Sequence, residues 1–211
     1  MESSLITDII VIVGLNLLFA APHSILASNR LKSAVAGKFP GFMPFYRLAY
    51  NAISLISIYL LVRFAPRPDI IIYKIESPLR YFIFALQAFG ISGFLYTLWY
   101  FDGSELLGLN QVIRKMKGRY DVNSLDEESR LMVKGPYRYS RHPLYFFCFF
   151  ITLAWPKMDL FYFITAVSFV AYFYIGSVYE ERKLVERFGD DYRRYQASTG
   201  RIFPKLKSLI K

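Results

Sequence analysis

The densest group of chemistry-bearing side chains is the run Gly135-Pro136-Tyr137-Arg138-Tyr139-Ser140-Arg141-His142-Pro143-Leu144-Tyr145. Gly-Pro makes a tight turn, and His-Pro holds an extended residue in front of a helix start. Three tyrosines, two arginines and a histidine are thereby gathered at one point. A second group begins at Glu180-Glu181-Arg182-Lys183-Leu184 and continues through Phe188-Gly189-Asp190-Asp191-Tyr192-Arg193-Arg194-Tyr195. An acidic pair facing an Arg/His/Tyr cluster can clamp a zwitterion: carboxylates take its ammonium group, and Arg or His its carboxylate. Each group also has a plainer account. Tyr and Arg belong to any membrane-surface belt, and a helix rich in Glu and Lys pairs its own charges in solvent. The prolines of the first group favour a shaped pocket. Within the second, consecutive helical residues diverge by about 100°, so Glu180 and Glu181 face differently. Lys183 stands three residues beyond Glu180, whereas Leu184, Val185 and Phe188 form an apolar stripe beyond Glu181. Glu181 is therefore expected to turn inward, with Glu180 nearer the rim.

These groups need a scaffold, and composition points to its kind. The chain has 211 residues, of which 55% are hydrophobic, 18% aromatic and 20% charged. Such aromatic content excludes disorder, and a single cysteine, Cys148, excludes a disulfide framework or a cysteine metal site. Only His23 and His142 remain for imidazole chemistry, and no metal site is expected. A net charge of +10 beside an apolar excess separates into long apolar runs and basic loops. That is the pattern of an all-α polytopic membrane protein, not of a nucleic-acid binder.

Apolar runs cover residues 5–27, 45–65, 79–101, 143–155 and 160–178. The first three are each long enough to cross about 30 Å of hydrocarbon at about 1.5 Å per residue. The run at 143–155 is short, and crosses only with help from its flanks or a thinned bilayer. The first run is too long, and lacks the basic leader, for a cleavable signal peptide. Residues 28–45, 102–142 and 179–211 carry three, eight and nine Lys or Arg, against Arg67, Lys74, Arg80 and Lys157 on the other side. Arg47 and Arg63 lie inside runs, near their ends, where they can snorkel. This bias requires five spans, the N-terminus outside and the C-terminus in the cytoplasm. Both chemical groups then lie on the cytoplasmic side.

The pair Gly-Pro-Tyr-Arg-Tyr-Ser-Arg-His-Pro-Leu-Tyr and Glu-Glu with its downstream tyrosines and Pro204, over residues 129–204, resembles the integral-membrane methyltransferases. These include the isoprenylcysteine carboxyl methyltransferases and the phospholipid N-methyltransferases. Three further features are similar to the membrane-bound methanethiol S-methyltransferases. They are His23-Ser24 with Tyr46-Arg47, the run Glu105-Leu106-Leu107-Gly108-Leu109-Asn110-Gln111, and Ala154-Trp155-Pro156-Lys157-Met158. The resemblance implies S-adenosylmethionine in a cytoplasm-facing pocket under a helical hairpin. It divides the chain into a three-helix region, 1–101, and a cofactor-binding region, 102–211. Cofactor contacts carry over to Gly135, Tyr137, His142, Pro143, Leu144 and Tyr145, to Ser129, Arg130, Leu131 and Met132, and to Glu180 and Glu181. His23, Arg47, Glu105, Gln111 and Arg201 are implied on the substrate side. Two departures stand out: Phe147 replaces a frequent glycine, and Ser198 replaces an arginine for which Arg201 is the nearest substitute.

Methyl transfer from a sulfonium is an in-line displacement, so alignment matters more than a strong acid; orientation alone contributes about 7–11 kcal/mol. Tyr137, Tyr139 and Tyr145 offer faces for cation–π contact worth roughly 0.5–2 kcal/mol. A thiol acceptor reacts as thiolate, and Arg138, Arg141 or His142 would lower its pKa, with Glu181 set against the cofactor. A thiol, a lipid amine and a prenylated carboxylate all suit a cavity open to membrane lipids. An NADPH-dependent reductase of the sterol-reductase type shares the Arg-His-Pro pattern, but the short chain and the Glu pair favour the methyltransferase. A non-catalytic membrane subunit is the third alternative.

Overall fold

In a computed structural model, residues 2–100, 102–125 and 131–205 are described. Nine α-helices are found among them: α1 (Glu2–Ala27), α2 (Asn29–Lys38), α3 (Tyr46–Phe64), α4 (Leu79–Leu98), α5 (Gly103–Leu107), α6 (Leu109–Met116), α7 (Pro143–Leu153), α8 (Leu160–Phe188) and α9 (Asp190–Ser198). Two short strands, β1 (Ile71–Lys74) and β2 (Lys157–Asp159), complete the set. Four helical stretches are long and apolar enough to cross a membrane: Ser4–Ala27, Pro40–Phe64, Leu79–Leu98 and Leu160–Phe188. Most of their side chains are exposed, Ile10 at 64% and Leu55 at 68% for example, as lipid-facing residues must be. The protein is an integral membrane protein.

Chain contacts divide it into two compact units, Met1–Arg67 with Phe101–Ser129, and Pro68–Tyr100 with Arg130–Lys211. In the first unit α1 packs on α3. Ser28 caps α2 by accepting from Leu31 N–H, and Asp102 caps α5 by accepting from Ser104 and Glu105 N–H. Gly108, at φ 92°, breaks α5 from α6; a side chain there would press on Leu48 N–H and the Arg47 side chain.

The second unit is built on α4 and α7 lying side by side. Gly90 and Gly93 make the approach possible. A Cβ on Gly90 would come within 2.8 Å of Phe150, and one on Gly93 within 2.0 Å of the Phe147 ring. Small residues serve this purpose at close helix contacts in membranes. Phe147, read from the sequence as a bulky intruder, is thus received by Gly93. One end of the pair is tied by β1 and β2, antiparallel with Tyr73 opposite Met158 and a slip between Ile71 and Tyr73. Ile75 N–H donates to Pro156 O at 2.8 Å and Leu160 N–H to Ile70 O at 2.9 Å. At the other end the Tyr100 ring lies against Gly135.

The short fifth run needs a correction in detail. The α7 helix has 11 residues and does not extend into its flanks, so it covers about 16 Å, half of a hydrocarbon core. The non-helical residues 154–156 that join it to β2 add about 10 Å when extended. Chain length alone therefore gives four spans and one short connecting helix.

Candidate active site

The turn around Gly135-Pro136 and the segment after α9 are latched together. Arg141 N–H donates to Gly200 O and His142 N–H to Arg201 O, both at 2.9 Å. Ser140 Oγ donates to Ile202 O at 2.7 Å, and the buried Tyr195 hydroxyl donates to Tyr137 O. Gly200 is required in this turn, because a Cβ would fall 1.9 Å from Phe203 O. The two motif groups are thus one structural object.

Glu181 is its hub. Its side chain and that of Arg141 are each 7% exposed, and Arg141 Nη2 lies 2.6 Å from Glu181 Oε1. Arg141 Nε donates to the same oxygen at 2.6 Å. Its Nη1 donates to the carbonyls of Gln196, at 3.0 Å, and Thr199. Gln196 Nε2 donates to Glu181 Oε2 at 3.0 Å, and Arg201 Nε lies 3.4 Å from that oxygen. Glu181 turns inward, and arginine fills the space it faces.

Glu180 behaves differently. Its side chain is 48% exposed, and it accepts from the Tyr145 hydroxyl at 3.1 Å. His142, buried at the start of α7, stands between the two acids, Nδ1 3.3 Å from Glu180 and Nε2 3.5 Å from Glu181. Its ring stacks on Tyr145 at 5.3 Å, and Tyr145 stacks on Phe173 at 5.2 Å. Beside them α8 carries Gly176, four residues before Glu180, where a Cβ would meet only Tyr145 Oη at 3.8 Å. An exposed carboxylate, stacked aromatic faces and an open helix face therefore lie together.

Burial disfavours the charged His142 ring, but hydrogen bonding to Glu180 and Glu181 outweighs it and raises the pKa above the ordinary 6.5. The charged ring is bound more tightly in the folded state. Its stabilisation is complete below the unfolded value near 6.5 and is lost as pH rises through the raised one. Thermal unfolding across that window should show wild type losing stability relative to His142→Gln, by at most about 1.4 kcal/mol per pH unit. Parallel curves would remove the charged ring from the latch.

The other sequence candidates separate. Tyr137, Pro143 and half-buried Leu144 belong to the latch region, while Leu131 and Met132 are half-buried. Ser129 and Arg130 lie outside the described residues. Gly135 and exposed Arg138 line a cavity with Tyr96, Tyr100, Tyr139 and Phe147. Phe147 is about 200° around α7 from Tyr145, so that cavity lies on the opposite face from Glu180. Glu105 makes a two-point pair with Arg114, 2.7 Å at each oxygen, and Gln111 Nε2 donates to Glu105 O. The Arg114 hydrogen bonds hold the Glu105 carboxyl below its ordinary pKa range. Both residues brace α5 against α6. His23 and Arg47 stand in the first unit around a small cavity. Sequence reasoning missed Gln196, Phe173 and Gly176. The signal for Gln196 was its place four residues after Tyr192, on the face that Tyr192 and Tyr195 bury.

Comparison with known proteins adds the chemistry. The family model described as "Protein of unknown function (DUF1295)" matches residues 97–199. Methanethiol S-methyltransferase of Pseudomonas deceptionensis is 26% identical over 97% of this chain and 74% of its own length. Methanethiol S-methyltransferase 1 of Bradyrhizobium diazoefficiens is 28% identical over 99% of this chain and 71% of its own. The Crocosphaera subtropica methanethiol S-methyltransferase is 28% identical, covering 96% and 77%. No solved structure matches. Similar to these enzymes along nearly its whole length, and carrying their polytopic helical build, the chain is a membrane methyltransferase.

Proposed function

We propose that the protein methylates a small thiol at the cytoplasmic membrane face, with S-adenosylmethionine as donor. The whole-length likeness to enzymes named for methanethiol S-methylation carries this reading. The residues around Glu180 fit the donor's chemistry. A carboxylate suits its ammonium or ribose hydroxyls, the Tyr145 and Phe173 rings suit a sulfonium, and Gly176 leaves the approach open. When bound, the donor supplies a methyl group on a positively charged sulfur. The chain's own part is to orient that group and exclude water. Glu180 is the ligand-facing acid; Glu181 is a positioning residue that fixes Arg141 and the latch. Residues 102–211 carry the donor site, and 1–101 the acceptor-side groups.

The test is purified protein with methyl-labelled S-adenosylmethionine and a panel holding a small thiol, a lipid amine and a prenylated carboxylate. Label is expected in the volatile thioether. Label in lipid alone would reassign the acceptor, and binding of NADPH in place of the donor would overturn the reading.

The orientation proposed from basic-residue bias puts the N-terminus outside. The β1–β2 pairing supports it, since Lys74 and Lys157 come opposite each other, on the side the bias leaves poor in charge. Reporter fusions after Lys38 and after the C-terminus should both report cytoplasm. An external signal at either point reverses the assignment.

A further inference from the structure

A second polar site lies within the first unit, in and beside the membrane-spanning helices. Leu26 and Ala27 of α1, Lys32 of α2, and Tyr46, Arg47 and Tyr50 of α3 line a cavity of about 50 Å³. Water occupies about 30 Å³ per molecule in the liquid, so the space admits a ligand of very few heavy atoms. Lys32 is only 6% exposed. The described lining carries two cations and no carboxylate, which selects an anion. Leu26 and Ala27 give it one apolar wall.

Behind Tyr50 runs a hydrogen-bond chain with a fixed direction. Ser54 Oγ donates to Tyr50 O at 2.8 Å, so at its 2.8 Å contact with His23 Nδ1 it accepts. His23 therefore carries its proton on Nδ1, and Nε2 accepts from the Tyr50 hydroxyl at 2.6 Å. Tyr50 Oη keeps a lone pair for a cavity ligand. Ionisable groups in membrane spans mark sites of function, and this one is wired to receive a proton.

We propose that this cavity binds a small thiol and takes its proton. The S–H bond breaks with its electron pair left on sulfur, and the proton goes to Tyr50 Oη. The Tyr50 proton passes to His23 Nε2 in the same step, leaving an imidazolium and a thiolate held by Lys32 and Arg47. This inference rests on the thiol-methylation reading, for which a thiolate is the required nucleophile.

Methanethiol is titrated into detergent-solubilised full-length protein at pH 7 without methyl donor, and ultraviolet thiolate absorbance is followed. Wild type should develop the thiolate band. Tyr50→Phe and His23→Gln should lose it, and Lys32→Met should bind at least tenfold more weakly, with donor affinity unchanged in all three. Wild type without the band, or Tyr50→Phe with a full band, overturns the proposal. Because no donor is present, a thiolate band in a protein that fails to methylate thiols would sink the proposed reaction and leave the cavity's role intact.

Discussion

Glu181→Gln is expected to cost the protein its stable fold. The exchange keeps the shape of the side chain and removes the charge that answers Arg141, itself 7% exposed. Breaking a buried ion pair by removing one partner costs about 3–5 kcal/mol, against a total stability of about 5–15 kcal/mol for a typical domain. The loss spreads, because Gln196 and Arg201 also converge on this carboxylate. The latch between the Gly135-Pro136 turn and the segment after α9 should loosen with it. Fluorescence-monitored melting in detergent is the measurement, with yield of monodisperse protein as the second readout. Arg141→Lys should fail similarly, since one ammonium cannot reach Glu181 and two backbone carbonyls together. Wild-type melting of Glu181→Gln would show that the pair is dispensable and that the latch is held by its backbone bonds alone.

The scaffold was legible where it depends on runs of like residues. Apolar runs of twenty residues or so have few alternatives in water or lipid, and three of the four long spans follow them closely. The convergence of the Arg-His-Pro run with the acidic pair was legible as well, because prolines and a glycine confine the turn. What escaped depends on complementarity between distant residues. Phe147 looked like an obstruction because nothing in its neighbourhood announces Gly93 on α4 as its receptacle. The β1–β2 pairing joins strands of four and three residues across a slipped register, too short for an alternating pattern to emerge. The Glu105 to Gln111 run was assigned to the substrate side. Its acid pairs with Arg114 across the left-handed break at Gly108, at a spacing no continuous helix would bring together.

Glu180→Gln is expected to give the opposite result: an intact protein that binds the methyl donor poorly. The side chain is half in solvent, and its protein partners are a tyrosine hydroxyl and His142. Replacing it disturbs no buried pair, so melting should stay within about 0.5 kcal/mol of wild type, as for most surface changes. A hydrogen bond to a charged group is worth about 1.5–3 kcal/mol, so the donor dissociation constant should rise roughly 10- to 100-fold. Gly176→Leu tests the same surface without touching charge. Within the fold a Cβ there meets only Tyr145 Oη, and leucine favours helix by about 1 kcal/mol over glycine, so the variant should fold at least as well. Its side chain would occupy the open face beside Tyr145 and Phe173, and donor binding should fall with no change in net charge. Calorimetry on the two variants separates the possibilities. Loss in both places the donor against this face of α8. Loss in neither would move it to the opposite face of α7, where Arg138 and Tyr139 line the larger cavity.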